Sequence, residues 1–352
     1  MSRHLFVYAG ILLLFIHCRT AAESPEAVPV VFSPELEVFP VNSSIRAIAA
    51  VSAEEVWYAG NRGQYGYTLD GGKSWVRDSM YWEGKPLEFR ALVVKESAVF
   101  LLCTKSPALL FRSQDRGASW ELVYQESGKG VYYNAMAFWD EREGIAVGDP
   151  VKSGCLSVII TRDGGKHWEK LPCTTLPPLV EGEAGFAASN TNIATYQNHA
   201  WVATGGQKAR VFHSPDRGQN WQSFDTPMAQ GGDMTGIFSV SFLNEKEGIM
   251  VGGDWEDKAR IKGSRAWTQN GGQSWNTLAD TVGPAFRSCI QYVPGTQGKE
   301  LFAVGIPGLS YSEDGGQSWQ TFSEESFYTI RMAGEDRSAW MAGRNKVARL
   351  VW

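Results

Sequence analysis

Four arginines recur at one place in a repeating pattern. Arg46, Arg90, Arg287 and Arg331 each stand near the head of a short apolar stretch of β character. A guanidinium is planar and permanently charged, and it grips carboxylate or phosphate through two parallel N–H bonds. Several of them around one opening would form an anion-receiving cluster. A blander role is also open, in which each arginine bonds backbone carbonyls and ties neighbouring repeats together. The heads of the other three stretches align as Asn134, Ser189 and Ser239. Charged loops at the same end bring in Asp149, Glu183, Asp233, Asp254 and Arg344. Their carboxylates admit a second chemistry. Two carboxyl groups facing each other across an opening, one acid and one base or nucleophile, hydrolyse glycosidic bonds. Tyr132, Tyr133 and Tyr328 begin inner strands at the same end as Glu183, which keeps a tyrosine–glutamate pair open.

Other chemistries find less support. No Cys-x-x-Cys occurs, and no Gly-x-Gly-x-x-Gly opens a helix. The five histidines, at 4, 17, 167, 199 and 213, lack metal-ligand spacing. No cofactor and no metal are expected.

What must position these residues is a repeat. The frame Ser/Thr-x-Asp-x-Gly-x-x-Trp occurs at Thr68–Trp75, Ser113–Trp120, Thr161–Trp168, Ser214–Trp221 and Ser312–Trp319, and Thr268–Trp275 carries Asn270 at the acidic place. A near-constant spacing of this length marks a repeat architecture. Each copy lies between two β runs and reads as a hairpin turn. The Asp or Asn accepts from following backbone N–H groups, Gly supplies a positive φ, and the Trp covers the turn. Around each copy four short strands are legible, the grammar of a propeller blade. The first blade opens at Ile45, the fourth near Phe186–Ser189, and a seventh runs from Tyr328 to Trp352, one strand short. Leu36–Phe39 would supply the missing strand. The expectation is an all-β, seven-bladed β-propeller of four-stranded blades, closed by the N-terminal strand. All the Asp-type turns then fall at one pole, and the arginines at the other.

The 352 residues and 38 glycines suit many short strands, and a net charge of −5 offers no general attraction to nucleic acid. Arg3 and His4 precede an apolar run from Leu5 to Ile16, and Thr20-Ala21-Ala22 offers small residues for cleavage. The reading is a signal peptide over 1–22, a polar lead over 23–34 and one propeller over 35–352. The mature chain is expected to be exported, periplasmic or secreted, with no integral membrane segment, and monomeric. Cys18 raises a lipoprotein anchor, which His17 before it fits poorly. Cys155 and Cys173 flank one turn symmetrically and should face each other across a hairpin, as a disulfide or as thiols. Cys103 and Cys289 read as buried thiols.

The repeated motif resembles the Asp-box repeats of bacterial neuraminidase-type (BNR) proteins. An inner-strand Arg followed by Val-Trp-x-x-Gly, as in Arg46 to Gly60, looks more like the photosystem II stability and assembly factor family, which has secreted relatives loosely labelled oxidoreductases. That resemblance implies a propeller whose arginine patch binds a partner protein, a role that carries over to Arg46, Arg90, Arg287 and Arg331. A sialidase resemblance would require a Phe/Tyr-Arg-Ile-Pro signature, which is absent. The function read from the sequence is therefore a non-catalytic binding or assembly-factor-like propeller. It docks an acidic protein segment or anionic glycan at a pole lined by Arg46, Arg90, Asn134, Arg287, Arg331, Asp149, Glu183, Asp254 and Arg344. A glycoside hydrolase using carboxylates at that pole is the alternative.

Overall fold

In a computed structural model, residues 32–151, 154–278, 283–334 and 336–352 are described. The expected signal peptide and residues 23–31 of the polar lead lie outside them. The remainder is almost entirely sheet, a β-propeller. Among the described residues no helix is long and apolar enough to cross a membrane.

The blade count corrects the sequence reading. Among the described residues, hydrogen-bonded sheets of four strands or more number six, not seven. The reason lies in one long strand, Glu35–Ala50, which serves two neighbours in succession. Its first part pairs antiparallel with the C-terminal strand Ser338–Val351, from Glu35 opposite Val351 to Pro40 opposite Lys346. Its second part pairs with Val56–Gly60, from Ile45 opposite Gly60 to Ala50 opposite Val56. Strands expected to form separate first and last blades are thereby one six-stranded sheet. It runs Thr329–Met332, Ser338–Val351, Glu35–Ala50, Val56–Gly60, Gln64–Thr68 and Val76–Ser79. The fifth sheet is also six-stranded. Two short strands, Glu183–Ala184 and Gly205–Gly206, extend the sheet that begins at Thr235–Phe242. The second, third, fourth and sixth sheets each have four strands.

The turns obey one hydrogen-bond plan. The Ser or Thr hydroxyl accepts from the N–H of the Gly four residues on, as in Gly72 N to Thr68 Oγ1 at 2.9 Å and Gly218 N to Ser214 Oγ at 2.7 Å. The acidic side chain accepts four residues on, as in Ser74 N to Asp70 Oδ1 at 2.8 Å. Asn270 does the same for Ser274 N at 3.0 Å, so that copy keeps its geometry. Five of the six tryptophans then donate to the Gly carbonyl of their own turn, at 2.8 to 3.2 Å. Trp120 instead donates to the Tyr65 hydroxyl of the first sheet. The bonds from Ser74 and Thr68 hold the Asp70 carboxyl down at about 2.

The core lies between sheets as well as within them. One cluster joins Ala47, Trp57 and Tyr65 of the first sheet to Phe89, Leu101 and Phe111 of the second. Another joins Val147, Val158 and Ile160 of the third to Val202 and Phe212 of the fourth. Neither sheet of such a pair could bury both faces alone. Cys155 and Cys173 form a disulfide, while Cys103 and Cys289 are buried thiols.

Candidate functional site

The propeller axis is crossed by an irregular segment. The sequence suggests an inner strand opening at Phe186–Ser189, but the fourth sheet's inner strand is Ile193–Tyr196. Residues 186–192 instead offer their polar groups to other sheets. Asn190 Nδ2 donates to Leu92 O of the second sheet, and Asn190 Oδ1 accepts from Met136 N of the third. Ser189 Oγ donates to Ser288 O beside the sixth, and Thr191 O accepts from Val240 N of the fifth. A segment so connected cannot also keep a regular ladder.

Three of the four arginines converge on this segment. Arg46 Nη1 reaches Ala188 O at 3.4 Å, Arg90 Nη1 reaches Ala187 O at 3.1 Å, and Arg331 Nη2 reaches Ser189 O at 3.0 Å. They do so from two different registers. Arg46 and Arg90 sit at β-bulges, between Ile45 and Ala47 and between Phe89 and Ala91. A bulge leaves its extra residue unpaired and re-aims the side chain, here toward the axis. Asn134 and Phe238 occupy the same bulge in the third and fifth sheets. Phe238, not the aligned Ser239, is therefore the equivalent position. Arg331 pairs regularly with Trp340, and its alignment with Arg46 is corrected. Arg331 is enclosed, with Nη1 on Thr329 Oγ1 and Ile330 O at 2.9 Å, and burial lowers its pKa. Arg287 is 3 % exposed and donates to Phe286 O and Ser310 Oγ, both at 2.8 Å. Burial, then the nearby Arg265, lowers it to about 10. Arg331 and Arg287 thus do what bound carbonyls and hydroxyls ask of them, joining strands.

Arg46 and Arg90 differ. They line a hollow of about 220 Å³ with Tyr132, Phe186, Phe238 and Trp255. Phe186 and Phe238 stack at 4.1 Å and 6°, and Phe286 meets Phe238 edge-on at 4.8 Å. One side of the hollow is therefore aromatic and the other cationic. Arg46 lies over the Tyr328 ring at 4.0 Å, and its single protein hydrogen bond among the described residues is the long one to Ala188. Burial first, and the Arg90 charge second, bring Arg46 down to about 10. An anion in the hollow would oppose both effects. Arg90 is partly satisfied by Glu88, whose Oε1 accepts from Nε at 3.1 Å and from Nη2 at 2.5 Å. Glu88 also pairs with Lys105 at 3.2 Å.

The other residues singled out from sequence lie elsewhere or are engaged. Asn134 Nδ2 donates to Asp149 Oδ1 at 2.8 Å, and Gly185 N donates to the same oxygen at 3.1 Å. Burial raises the Asp149 pKa against those bonds. Glu183 is buried and bonded to Arg210, Thr204 and the Val180 N–H. Asp254 accepts from Glu256 N and Asp257 N in a local turn. Arg344 is exposed within a continuous strand, opposite Ser44, rather than in a loop. Sequence reasoning missed the aromatic wall. The signal was present in Phe238 and Phe286, aromatics at or beside inner-strand heads.

No family model matches the sequence, and no curated protein does. Solved structures do match in fold. A structure described as YCF48 bound to D1 peptide is 15% identical with a TM-score of 0.67, covering 91% of this chain and 97% of that one. YCF48 from Cyanidioschyzon merolae is 13% identical with a TM-score of 0.63, covering 90% and 98%. The GH74 xyloglucanase from Xanthomonas campestris is 14% identical with a TM-score of 0.61, and 53% of its chain is covered against 89% of this one.

Proposed function

We propose that this protein is a non-catalytic binding propeller of the assembly-factor kind, which receives an acidic peptide segment in the hollow between Arg46 and Arg90. The observation that carries the reading is the pairing of an under-bonded guanidinium, Arg46, with an aromatic wall. Such a hollow suits a carboxylate next to an apolar side chain: the charge faces Arg46 and Arg90, and the side chain faces Phe186 and Phe238. A hydrogen bond to a charged group contributes about 1.5–3 kcal/mol. The peptide bound to the YCF48 structure favours a peptide over a glycan as the ligand of a fold of this kind. Hydrolysis is the less favoured reading, because Asp149, Glu183 and Asp254 each hold backbone or side-chain donors already. Export to the periplasm or beyond belongs to the same proposal and rests on the apolar run from Leu5 to Ile16.

The test is fluorescence polarisation with short labelled peptides rich in Asp and Glu and containing one Phe or Leu. Arg46→Ala should weaken binding about tenfold or more, and added salt should weaken it further. Equal affinity of wild type and Arg46→Ala, with both folded, rejects the site.

A further inference from the structure

At the opposite ends of the strands, a cleft opens between the fifth and sixth sheets. Trp267, the residue just before the Thr of the fifth sheet's turn motif, lines it. The equivalent residue is occupied elsewhere. Tyr67 stacks on Trp57 at 4.1 Å. Arg112 donates to Gly164 O of the next sheet at 3.2 Å. His213 stacks with His199 and Trp201. The Tyr311 hydroxyl donates to Glu300 at 2.7 Å. Among the described residues, Trp267 has no ring against it and no acceptor for its indole N–H. It is half-buried and faces a cleft of about 460 Å³. That volume lies within the roughly 300–1,000 Å³ of small-molecule sites.

The rest of the lining is polar in one particular way. Gln269, Gln297 and Gln317 are all exposed, and none of their carboxamides is bonded to a protein group among the described residues. Tyr292 brings a hydroxyl. Among the described residues, charge is supplied by acids alone: Glu247, held on one oxygen by Asn244 at 2.8 Å, and Asp314, already spent on its turn. No lysine or arginine among the described residues lines the cleft. An anionic ligand would be repelled, and a purely apolar one would leave the amides facing it unpaired. A pyranose ring meets both demands. One face presents C–H groups to a flat aromatic, and its rim of hydroxyls both donates and accepts, as carboxamides do.

We infer that the Trp267 cleft binds a neutral sugar unit of a glycan chain, with Trp267 as the stacking platform and Gln269, Gln297 and Gln317 reading the hydroxyls. This site is separate from the arginine hollow, and its failure would leave that reading untouched.

Isothermal titration of the full chain would use neutral cello-, xylo-, malto- and chito-oligosaccharides, with an oligogalacturonate as the acidic comparison. At least one neutral series should bind, and the acidic one should not. Trp267→Ala should weaken that binding about tenfold or more, while Arg46→Ala leaves it unchanged. If Trp267→Ala unfolds, Gln297→Ala with Gln317→Ala, both exposed, takes its place, and the same loss is required. Silence from every neutral oligosaccharide up to about 10 mM, or binding that survives these substitutions, overturns the inference.

Discussion

Glu183 is the residue on which the two readings of the arginine pole part most sharply. As a hydrolytic carboxylate it would be dispensable for folding. The structure gives it a different task. Its side chain accepts from Arg210 Nε at 3.1 Å, Arg210 Nη2 at 2.6 Å, Thr204 Oγ1 at 2.6 Å and Val180 N at 3.1 Å. The Glu183 side chain is 0% exposed and the Arg210 side chain 13%. Arg210 also donates to Pro178 O at 2.8 Å. Removing one member of a buried pair leaves the other charge without compensation, which costs about 3–5 kcal/mol. Glu183→Gln keeps one acceptor but turns an amide donor toward donors, so a loss near the lower end, about 3 kcal/mol, is expected. Urea unfolding followed by tryptophan fluorescence measures it, with the slope unchanged. Replacing both partners by Met removes the orphaned charge as well and should recover much of that loss. A Glu183→Gln protein within about 0.5 kcal/mol of wild type would refute the reasoning. It would also free Glu183 for the hydrolytic role.

Acid should unsettle the fourth sheet early. Burial, then the neighbouring His199 at 2.8 Å, lower the His213 pKa to about 4, with Asp216 opposing. The unfolded chain takes up that proton near pH 6.5, so stability is present above that value and is lost as pH falls toward 4. Between pH 7.5 and 5 the loss is about 1–2 kcal/mol, allowing for the ring's contact with solvent, and His213→Phe should flatten that part of a stability–pH curve. A wild-type curve as flat as the variant's argues against a neutral His213. Gly165 tests the turn plan. Its φ is +75° and an added Cβ would lie 2.2 Å from Phe100, so Gly165→Ala should lower stability by about 2 kcal/mol or more in thermal unfolding.

Much of the propeller was legible because its determinants are local. The hydroxyl, carboxylate, glycine and tryptophan of each turn lie within eight residues, and their order alone implies a hairpin. There the Asp or Asn accepts from a following backbone N–H as its place in the frame implied, and the Ser or Thr hydroxyl adds a bond from the glycine N–H that the sequence reading did not include. The blade count failed for a non-local reason. Nothing near Asn42-Ser43-Ser44 in the sequence announces that one strand will serve two neighbours. The arginine positions divided in the same way. Arg46 and Arg90 reach the axis because of bulges, while Arg331 lies regularly paired in Thr329–Met332. A single-residue bulge shifts register without leaving a compositional mark. Glu183 read as a loop acid because its partner Arg210 lies 27 residues on, beyond any local pattern.

The pairing of Glu35–Pro40 with Lys346–Val351 has a consequence for biosynthesis. At about 5–20 residues per second, strands about 300 residues apart are made tens of seconds apart. Throughout that interval the earliest strand waits with one edge bare, a template for pairing with a stranger. Val38, exposed even in the finished protein, is the kind of side chain such a stranger would meet. Aggregation of nascent chains should therefore depend on how well this waiting edge is shielded, by charges such as Glu35 and Glu37 or by a chaperone, until the last strand zips the circle shut.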